Sequence, residues 1–393
     1  KFPHSLGIFY QSITQYLGYK NYGDEYKVMG LSAFGNKYIK FFDELITFDE
    51  KNLYKLNLKY FNHHFKIPEI INEDGSIKYL DLYNSNLVSK LKNYSEKDIA
   101  YSLQKKYEEI LFKIINLYAN KYKINNLCLS GGCALNSLAN GKIYNETSIK
   151  KIHISSTPHD AGGSIGSALT FINSKTNNNY KFRIPHSNYL GPIFSNNEIK
   201  SILKNYSGLN IEYLDDNNLI KQASESLAKG KIIGWFQDKL EWGPRSLGNR
   251  SILANPSIKD MKDKINAKIK RRESFRPFAP SILNDNFFEW FEATEEEPYM
   301  IKVYKFRENK GSLVPSVCHV DNTGRVQTVS KKDNLKYYNL IKSFYKLTNI
   351  PILLNTSFNE NEPVVCSPKE AINCFIRNDI DEIYLQNLVL KKI

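Results

Sequence analysis

Asn126-Leu-Cys-Leu-Ser-Gly-Gly-Cys-Ala-Leu-Asn136 decides the fold class. Four residues, mostly apolar, read as a short strand, Ser130-Gly131-Gly132 as a tight turn, and the residues from Cys133 onward as the start of a helix. A second unit of the same kind follows: the strand Lys151 to Ser155 passes through Pro158-His159-Asp160 into Gly162-Gly163-Ser-Ile-Gly166 and a further helix. Two successive strand, glycine turn and helix units predict an α/β domain. Upstream, Ile99, Leu103, Tyr107, Ile110, Ile114 and Leu117 recur at steps of three and four, which predicts a long amphipathic helix between Lys97 and Tyr122. Ser5 to Tyr19 also reads as a helix, and Lys27-Val-Met-Gly-Leu-Ser-Ala-Phe-Gly35 as a glycine-bounded turn against a core.

With 393 residues the chain exceeds what one hydrophobic core usually organises, so two domains are expected. The hydrophilic, Asn- and Lys-rich segment 174–189 places the boundary near residue 190. Beyond it, Lys231 to Gln237, Ser316 to Asp321, Arg325 to Ser330, Ile352 to Phe358 and Ile383 to Leu390 read as strands, and Ser367-Pro-Lys-Glu370 opens a helix with a capping box.

No run of about 20 apolar residues occurs, and the start lacks the compact apolar stretch of a signal peptide; no membrane partner and a cytoplasmic location are the expectation. Lys1 in place of Met is what a chain beginning inside a longer protein would show. Five scattered cysteines without a C-x-x-C spacing read as reduced thiols. The net charge of +13 comes largely from Lys spread over solvated faces, which argues against a nucleic-acid partner.

Chemistry concentrates in Glu241-Trp-Gly-Pro-Arg-Ser-Leu-Gly-Asn-Arg-Ser251 and in Asn266, Lys270, Arg272 and Phe275-Arg-Pro-Phe-Ala-Pro-Ser281. Arg245, Arg250 and Arg276 stand among Gly, Pro and aromatic residues instead of solvated lysine runs, and arginine suits bidentate grip on phosphate or carboxylate in a partly dry site. Met261, Ile265 and Ile269 form a buried stripe that aims Arg272 inward. Ion pairs with Glu241 and Glu273 are the structural alternative. His319-Val-Asp-Asn-Thr-Gly-Arg325 sets a His and an Arg on either side of a turn, and Asn355-Thr-Ser-Phe-Asn359 ends a strand with amide and hydroxyl groups. Gly131 and Gly132 let the backbone approach an anion at a helix start, although a turn with no ligand explains them equally well. Asn136 and Asn140 lie one helical turn apart and can face one pocket. Asp160 is a candidate metal or polar-substrate ligand, with a helix N-cap as the alternative.

Together these segments resemble the O-carbamoyltransferase family of nodulation-factor and antibiotic biosynthesis. The likeness runs in order through Lys27 to Gly35, Ser130 to Gly141, Asp160 to Leu169, Gly243 to Ser251, Asn266 to Ser281, His319 to Val329 and Asn355 to Phe358. It implies an α/β protein: a partial actin-like ATPase (Kae-type) domain over residues 1–190, followed by a YrdC-like α+β domain over 191–393. The implied activity joins ATP and carbamoyl phosphate into carbamoyl adenylate, then transfers the carbamoyl group to a hydroxyl of a sugar, glycan or secondary metabolite. By motif, Arg245, Arg250, Arg276, His319 and Arg325 would be catalytic. Lys270, Arg272, Asn355 and Ser357 would line the adenylate-forming site, and Gly131, Gly132 and Asn136 would hold nucleotide or adenylate. Asp160 would ligate a divalent, iron-type metal, and Mg2+ would accompany ATP. The family's paired histidines, one helical turn apart, have no counterpart ahead of Lys27, and the adjacent His63-His64 cannot both face one metal from a helix or strand. A missing N-terminal segment or a partner chain is the expected source of that pair. Threonylcarbamoyl-adenylate formation for tRNA modification and a nucleotide-binding module without activity are the alternatives. Ser246, Asn255 and Asn322 depart from the family's preferred Ala, Asp and Gly.

Overall fold

The computed structural model describes residues 2–66, 69–72, 74–75, 77–176 and 188–393. It divides into two compact units, Lys1–Ile154 and Ser155–Ile393, a division that falls upstream of residue 190. The cause lies in the loop after Ile154. Ser156 Oγ donates to Asn188 Oδ1, and Asn188 Nδ2 donates to the Trp242 carbonyl, so the loop belongs with the segment carrying Glu241.

In the first unit the helix Glu96–Tyr122 forms where its apolar spacing predicts. Ser95 Oγ caps it by accepting from Asp98 N at 3.1 Å, and left-handed Lys123 ends it. Its buried face (Ile99, Leu103, Tyr107, Ile110) packs with the helix Leu6–Tyr16, and Tyr10 and Tyr107 meet edge to face. The strands Asn126–Leu129 and Lys151–Ile154 pair in parallel, joined by a crossover through the helix Ser137–Glu146. Lys27 to Gly35 is not a turn. Most of it belongs to the helix Glu25–Leu31 and the 3-10 turn Ser32–Phe34, because buried Val28, Met29 and Leu31 fit a helical face against the long helix. Among the described residues no helix is long and apolar enough to cross a membrane.

The second unit is built on an eight-stranded mixed sheet. Its order is Gln327–Val329, Ala279–Leu283, Ile352–Ser357, Arg250–Ala254, Ile233–Phe236, Glu382–Leu385, Leu388–Lys392 and Leu209–Tyr213. Alternation along Ile352–Ser357 sends Leu354 to a core with Ile265, Ile269 and Phe375, and Leu353 to one with Leu219, Tyr337 and Phe344. Helices therefore cover both faces. Two sequence expectations need correction. Ile383 to Leu390 is a hairpin of two strands, because Gln386 adopts φ 49° and the chain reverses there. Ser316 to Asp321 holds no strand: Ser316 N, Val317 N and Cys318 N donate to nearby turn and loop carbonyls, and only Gln327–Val329 of the following stretch joins the large sheet.

Candidate active site

Strand register gathers the site. Ser357 pairs with Ser251 and Asn355 with Ala279, while Ser281 pairs in parallel with Gln327. The loop carrying Arg245, the turn carrying Arg272 and Arg276, the approach carrying Arg325, and the exit carrying Ser357 and Asn359 therefore meet at one end of the sheet. Segments more than a hundred residues apart in sequence become neighbours through the pairing.

The Gly243–Gly248 loop is held from inside. Glu241 Oε1 accepts from the backbone N–H of Leu247 (2.8 Å), Asn249 (2.7 Å) and Arg250 (3.2 Å). Glu241 thus serves as a backbone clamp and not chiefly as an arginine's ion-pair partner. Asn355 Nδ2 lies 3.1 Å from the Ser246 carbonyl, 3.0 Å from Ser281 Oγ and 3.1 Å from Gln327 Oε1, and Gln327 Nε2 donates to the Leu247 carbonyl. Gln327 is the hub that sequence reading missed, since an amide side chain in a three-residue strand announces nothing about its partners. Asn355 Oδ1 and Ser246 Oγ are buried without a hydrogen-bond partner among the described residues.

Two expected ligand-binding cations are spent on the fold. Arg250 is fully buried, stacked 3.6 Å from the Phe236 ring, and its terminal nitrogens donate to the carbonyls of Gln237, Asn249, Pro192 and Asp238. Burial lowers its pKa to about 10. Four backbone carbonyls claim it, two of which (Asn249 and Pro192) also accept from backbone N–H groups, so its guanidinium is spent on the fold and a catalytic role for Arg250 does not fit this structure. Lys270, only 2% exposed, directs its Nζ at the carbonyls of Ser357 (2.6 Å) and Asn359 (2.7 Å) and at both side chains. It fixes the strand exit rather than pointing at a ligand.

Arg272 follows a single π-type turn and left-handed Arg271; its Nε donates to Asn266 Oδ1 and its guanidinium lies over Phe278. Arg276 Nη1 stands 3.4 Å from Glu273 Oε2, a loose pairing for two full charges. After burial itself, the charges of Arg272 and Arg276 push the Lys270 ammonium down. Cations crowded closely enough to oppose one another favour an anion between them.

His319 carries the clearest electrostatic signature. Thr323 Oγ1 donates to Asp321 Oδ1 at 2.7 Å and so accepts from His319 Nδ1 at 3.1 Å, which leaves Nε2 with its lone pair bare and buried. Burial pushes the imidazole down to about 4; Asp321 opposes the shift, and Arg325 and Lys262 add to it. The ring is a neutral acceptor at pH 7. Because the unfolded chain binds the proton at pH below about 6.5 and the folded chain only below about 4, stability falls as pH drops through that window. His319→Gln is expected to remove up to about 3 kcal/mol of this loss, read from urea unfolding at pH 4.5 and 7.5. An unchanged pH slope would refute the assignment. Nearby Asn322 adopts φ 59°, a left-handed turn position that Asn tolerates and Gly favours.

In the first unit Gly131 (φ 97°) and Gly132 face open space, where a Cβ would meet nothing within 4 Å. Tyr107 Oη holds the Cys133 carbonyl below that turn at 2.9 Å. Asn136 caps the following helix and exchanges hydrogen bonds with Gln104, whereas Asn140 Nδ2 turns inward to the Ala134 carbonyl. The two asparagines do not share an outward pocket. In the second unit Asp160 is exposed at the start of the 3-10 turn Asp160–Gly162, whose cap is the His159 ring, so the N-cap alternative for Asp160 does not hold. Among the described residues no three His, Cys, Asp or Glu side chains gather for a metal. His63 Nε2 is engaged with the Pro3 carbonyl at 2.7 Å. The described residues by themselves do not assemble the ligand set of an iron-type centre.

A carbamoyltransferase is the class that these features define. The chain matches the Carbamoyltransferase N-terminus family model over residues 1–169 and the Carbamoyltransferase C-terminus model over residues 224–392. It is 38% identical over 420 residues to an uncharacterized protein of Synechocystis sp., covering 100% of this chain and 68% of that one. It is 36% identical over 403 residues to Nodulation protein NolO of Bradyrhizobium diazoefficiens (99% and 69% covered) and 36% identical over 407 residues to Nodulation protein NolNO of Sinorhizobium fredii (100% and 56% covered). The chain belongs to the carbamoyltransferase family. It spans about two thirds of the first two relatives and 56% of the third. Among solved structures, full-length HypF in a phosphate- and nucleotide-bound form aligns with TM-score 0.30 and 15% identity over 44% of this chain and 24% of that one, a likeness too slight to argue from.

Proposed function

We propose that the second unit activates carbamoyl phosphate with ATP. Carbamoyl adenylate forms with uptake of one water and release of pyrophosphate and phosphate, and the carbamoyl group then passes to a hydroxyl of a sugar, glycan or secondary metabolite. The observation that carries this reading is the convergence, at one end of the sheet, of three segments that bear Arg245, Arg272 with Arg276, and Arg325. ATP and carbamoyl phosphate together bear many negative charges, and bringing them together needs fixed cations to offset repulsion and stabilise the departing phosphates. Mg2+ would travel with the nucleotide, while Arg245, Arg276 and Arg325 would grip phosphate oxygens. Neutral His319 would accept a hydrogen bond or proton at Nε2. Lys270 and Gln327 would keep Ser357 and Asn355 in place.

In this reading the first unit is part of an actin-like (Kae-type) fold and the second is YrdC-like. The open Gly131-Gly132 turn would receive nucleotide or adenylate, and exposed Asp160 would hold a polar group of the substrate. The test is pyrophosphate release from ATP with and without carbamoyl phosphate. Release that depends on carbamoyl phosphate and ignores threonine is expected; ATP turnover indifferent to carbamoyl phosphate would overturn the reading.

A further inference from the structure

Leu209–Tyr213 is the last strand at one end of the eight-stranded sheet. It pairs antiparallel with Leu388–Lys392, in a register that sets Tyr213 opposite Leu388 and Leu209 opposite Lys392. Two bonds fix which way its main chain points. Leu214 N donates to the Asn387 carbonyl at 2.9 Å and Ile393 N to the Gly208 carbonyl at 3.2 Å, each between residues directly opposite in that register. Antiparallel bonding alternates along a strand, so Gly208, Asn210, Glu212 and Leu214 bond inward, and the N–H and C=O groups of Leu209, Ile211 and Tyr213 face outward.

Proteins usually blunt such an edge with Lys, Pro, a bulge or a covering loop. The opposite edge of this sheet is covered in that way: Thr328 N donates to the Glu297 carbonyl at 2.8 Å and Glu297 N to Thr328 Oγ1 at 3.1 Å. Leu209–Tyr213 contains no Lys, Pro or Gly, and it shows Ile211 44% and Tyr213 58% exposed. Their side chains share a face with Leu388 and Leu390, which are buried in the core, so an apolar row runs from the core to the open edge. The strand lies between the two ranges matched by the family models, so the carbamoyltransferase assignment gives this edge no role.

The strand is its own complement. We propose that Leu209–Tyr213 pairs antiparallel with the same strand of a second copy of this chain, about a two-fold axis at Ile211. Ile211 then meets Ile211 of the second copy, Leu209 meets Tyr213, and Asn210 meets Glu212. The three outward-facing residues exchange main-chain hydrogen bonds with their opposites, and the apolar rows of the two cores join. On the other face the incoming Glu212 lies across Asn210 from Lys391, an opposite charge. Sliding one copy by two residues sets Glu212 against itself, and sliding by one turns every side chain to the wrong face. Because the far edge is covered, the contact is isologous and closes at two copies instead of growing into a fibre.

The test is sedimentation velocity of the full chain from about 1 to 100 µM, with Ile211→Lys and Ile211→Val, and hydrogen–deuterium exchange over residues 207–214. The mass is expected to rise towards that of two chains. Ile211→Lys places two ammonium groups opposite each other across the axis and should raise the dimer Kd about tenfold, while Ile211→Val stays within about twofold. Exchange over 207–214 should slow as wild-type concentration rises. Thermal melts confirm that the variants fold; if Ile211→Lys does not, exchange in the wild type decides alone. A chain that stays monomeric at the highest concentration, a dimer whose Kd a folded Ile211→Lys leaves unchanged, or exchange over 207–214 that ignores concentration would overturn the proposal.

Discussion

Arg276→Ala is expected to lower carbamoyl-phosphate-dependent pyrophosphate release about 10²- to 10³-fold, the usual cost of removing one preorganised group that stabilises transition-state charge. The side chain is positioned just ahead of Ala279–Leu283, between Pro277 and a turn whose backbone is pinned by Asn266 Nδ2 donating to the Arg276 carbonyl at 3.2 Å. Its guanidinium is partly dry and stands 3.4 Å from Glu273, a loose pairing for two full charges. Arg276→Lys keeps the charge and loses the fork, and should fall between the wild type and Ala. Initial rates at saturating ATP and carbamoyl phosphate check both variants. A loss below about threefold for Ala would remove Arg276 from the chemistry.

The second large effect concerns folding. Gly248 adopts φ 103°, and a Cβ there would lie 2.5 Å from Tyr337 Cε1, a ring that is itself fully buried against the helix side of the sheet. Neither partner can yield: Tyr337 is locked in the core, and the loop backbone is tied to Glu241 and to Ser251 Oγ, which accepts from Gly248 N at 3.1 Å. Gly248→Ala is expected to cost about 2–4 kcal/mol from backbone strain and overpacking combined, measured by urea unfolding. Any protein that folds should also show reduced pyrophosphate release, because the displaced loop carries Arg245. A loss below about 1 kcal/mol would mean that the loop or the ring moves more freely than its bonds suggest.

Both residues were visible as part of a motif before their surroundings were known, but for different reasons. An arginine among Pro, Gly and aromatics is conspicuous because such neighbours remove it from the solvated lysine background. The glycine marks only that something approaches closely, and that Tyr337 is what approaches could not be inferred across 89 residues. Arg250 shows the opposite failure. Its motif position matched that of Arg245, yet the carbonyls of Gln237, Asp238 and Pro192 converge on it, and sequence spacing holds no information about carbonyl direction. Lys270 likewise reads in sequence as a ligand-binding group, whereas the fold sets the end of the Ile352–Ser357 strand over its Nζ.

By itself, the sequence determined the local elements with strong period or punctuation: the helix Glu96–Tyr122, the two strand and glycine-turn units, and the capping-box helix Pro368–Arg377. These depend on residues a few positions apart, so neighbouring side chains carry the signal. It also marked segments that the strand register brings to one end of the sheet. Only the tertiary structure decided which of their cations are consumed by backbone carbonyls and that Gln327 joins Asn355 to the Leu247 loop. Those outcomes follow from strand register between distant segments. Pairing sets direction as well as distance, and a side chain's use is fixed by what lies opposite it.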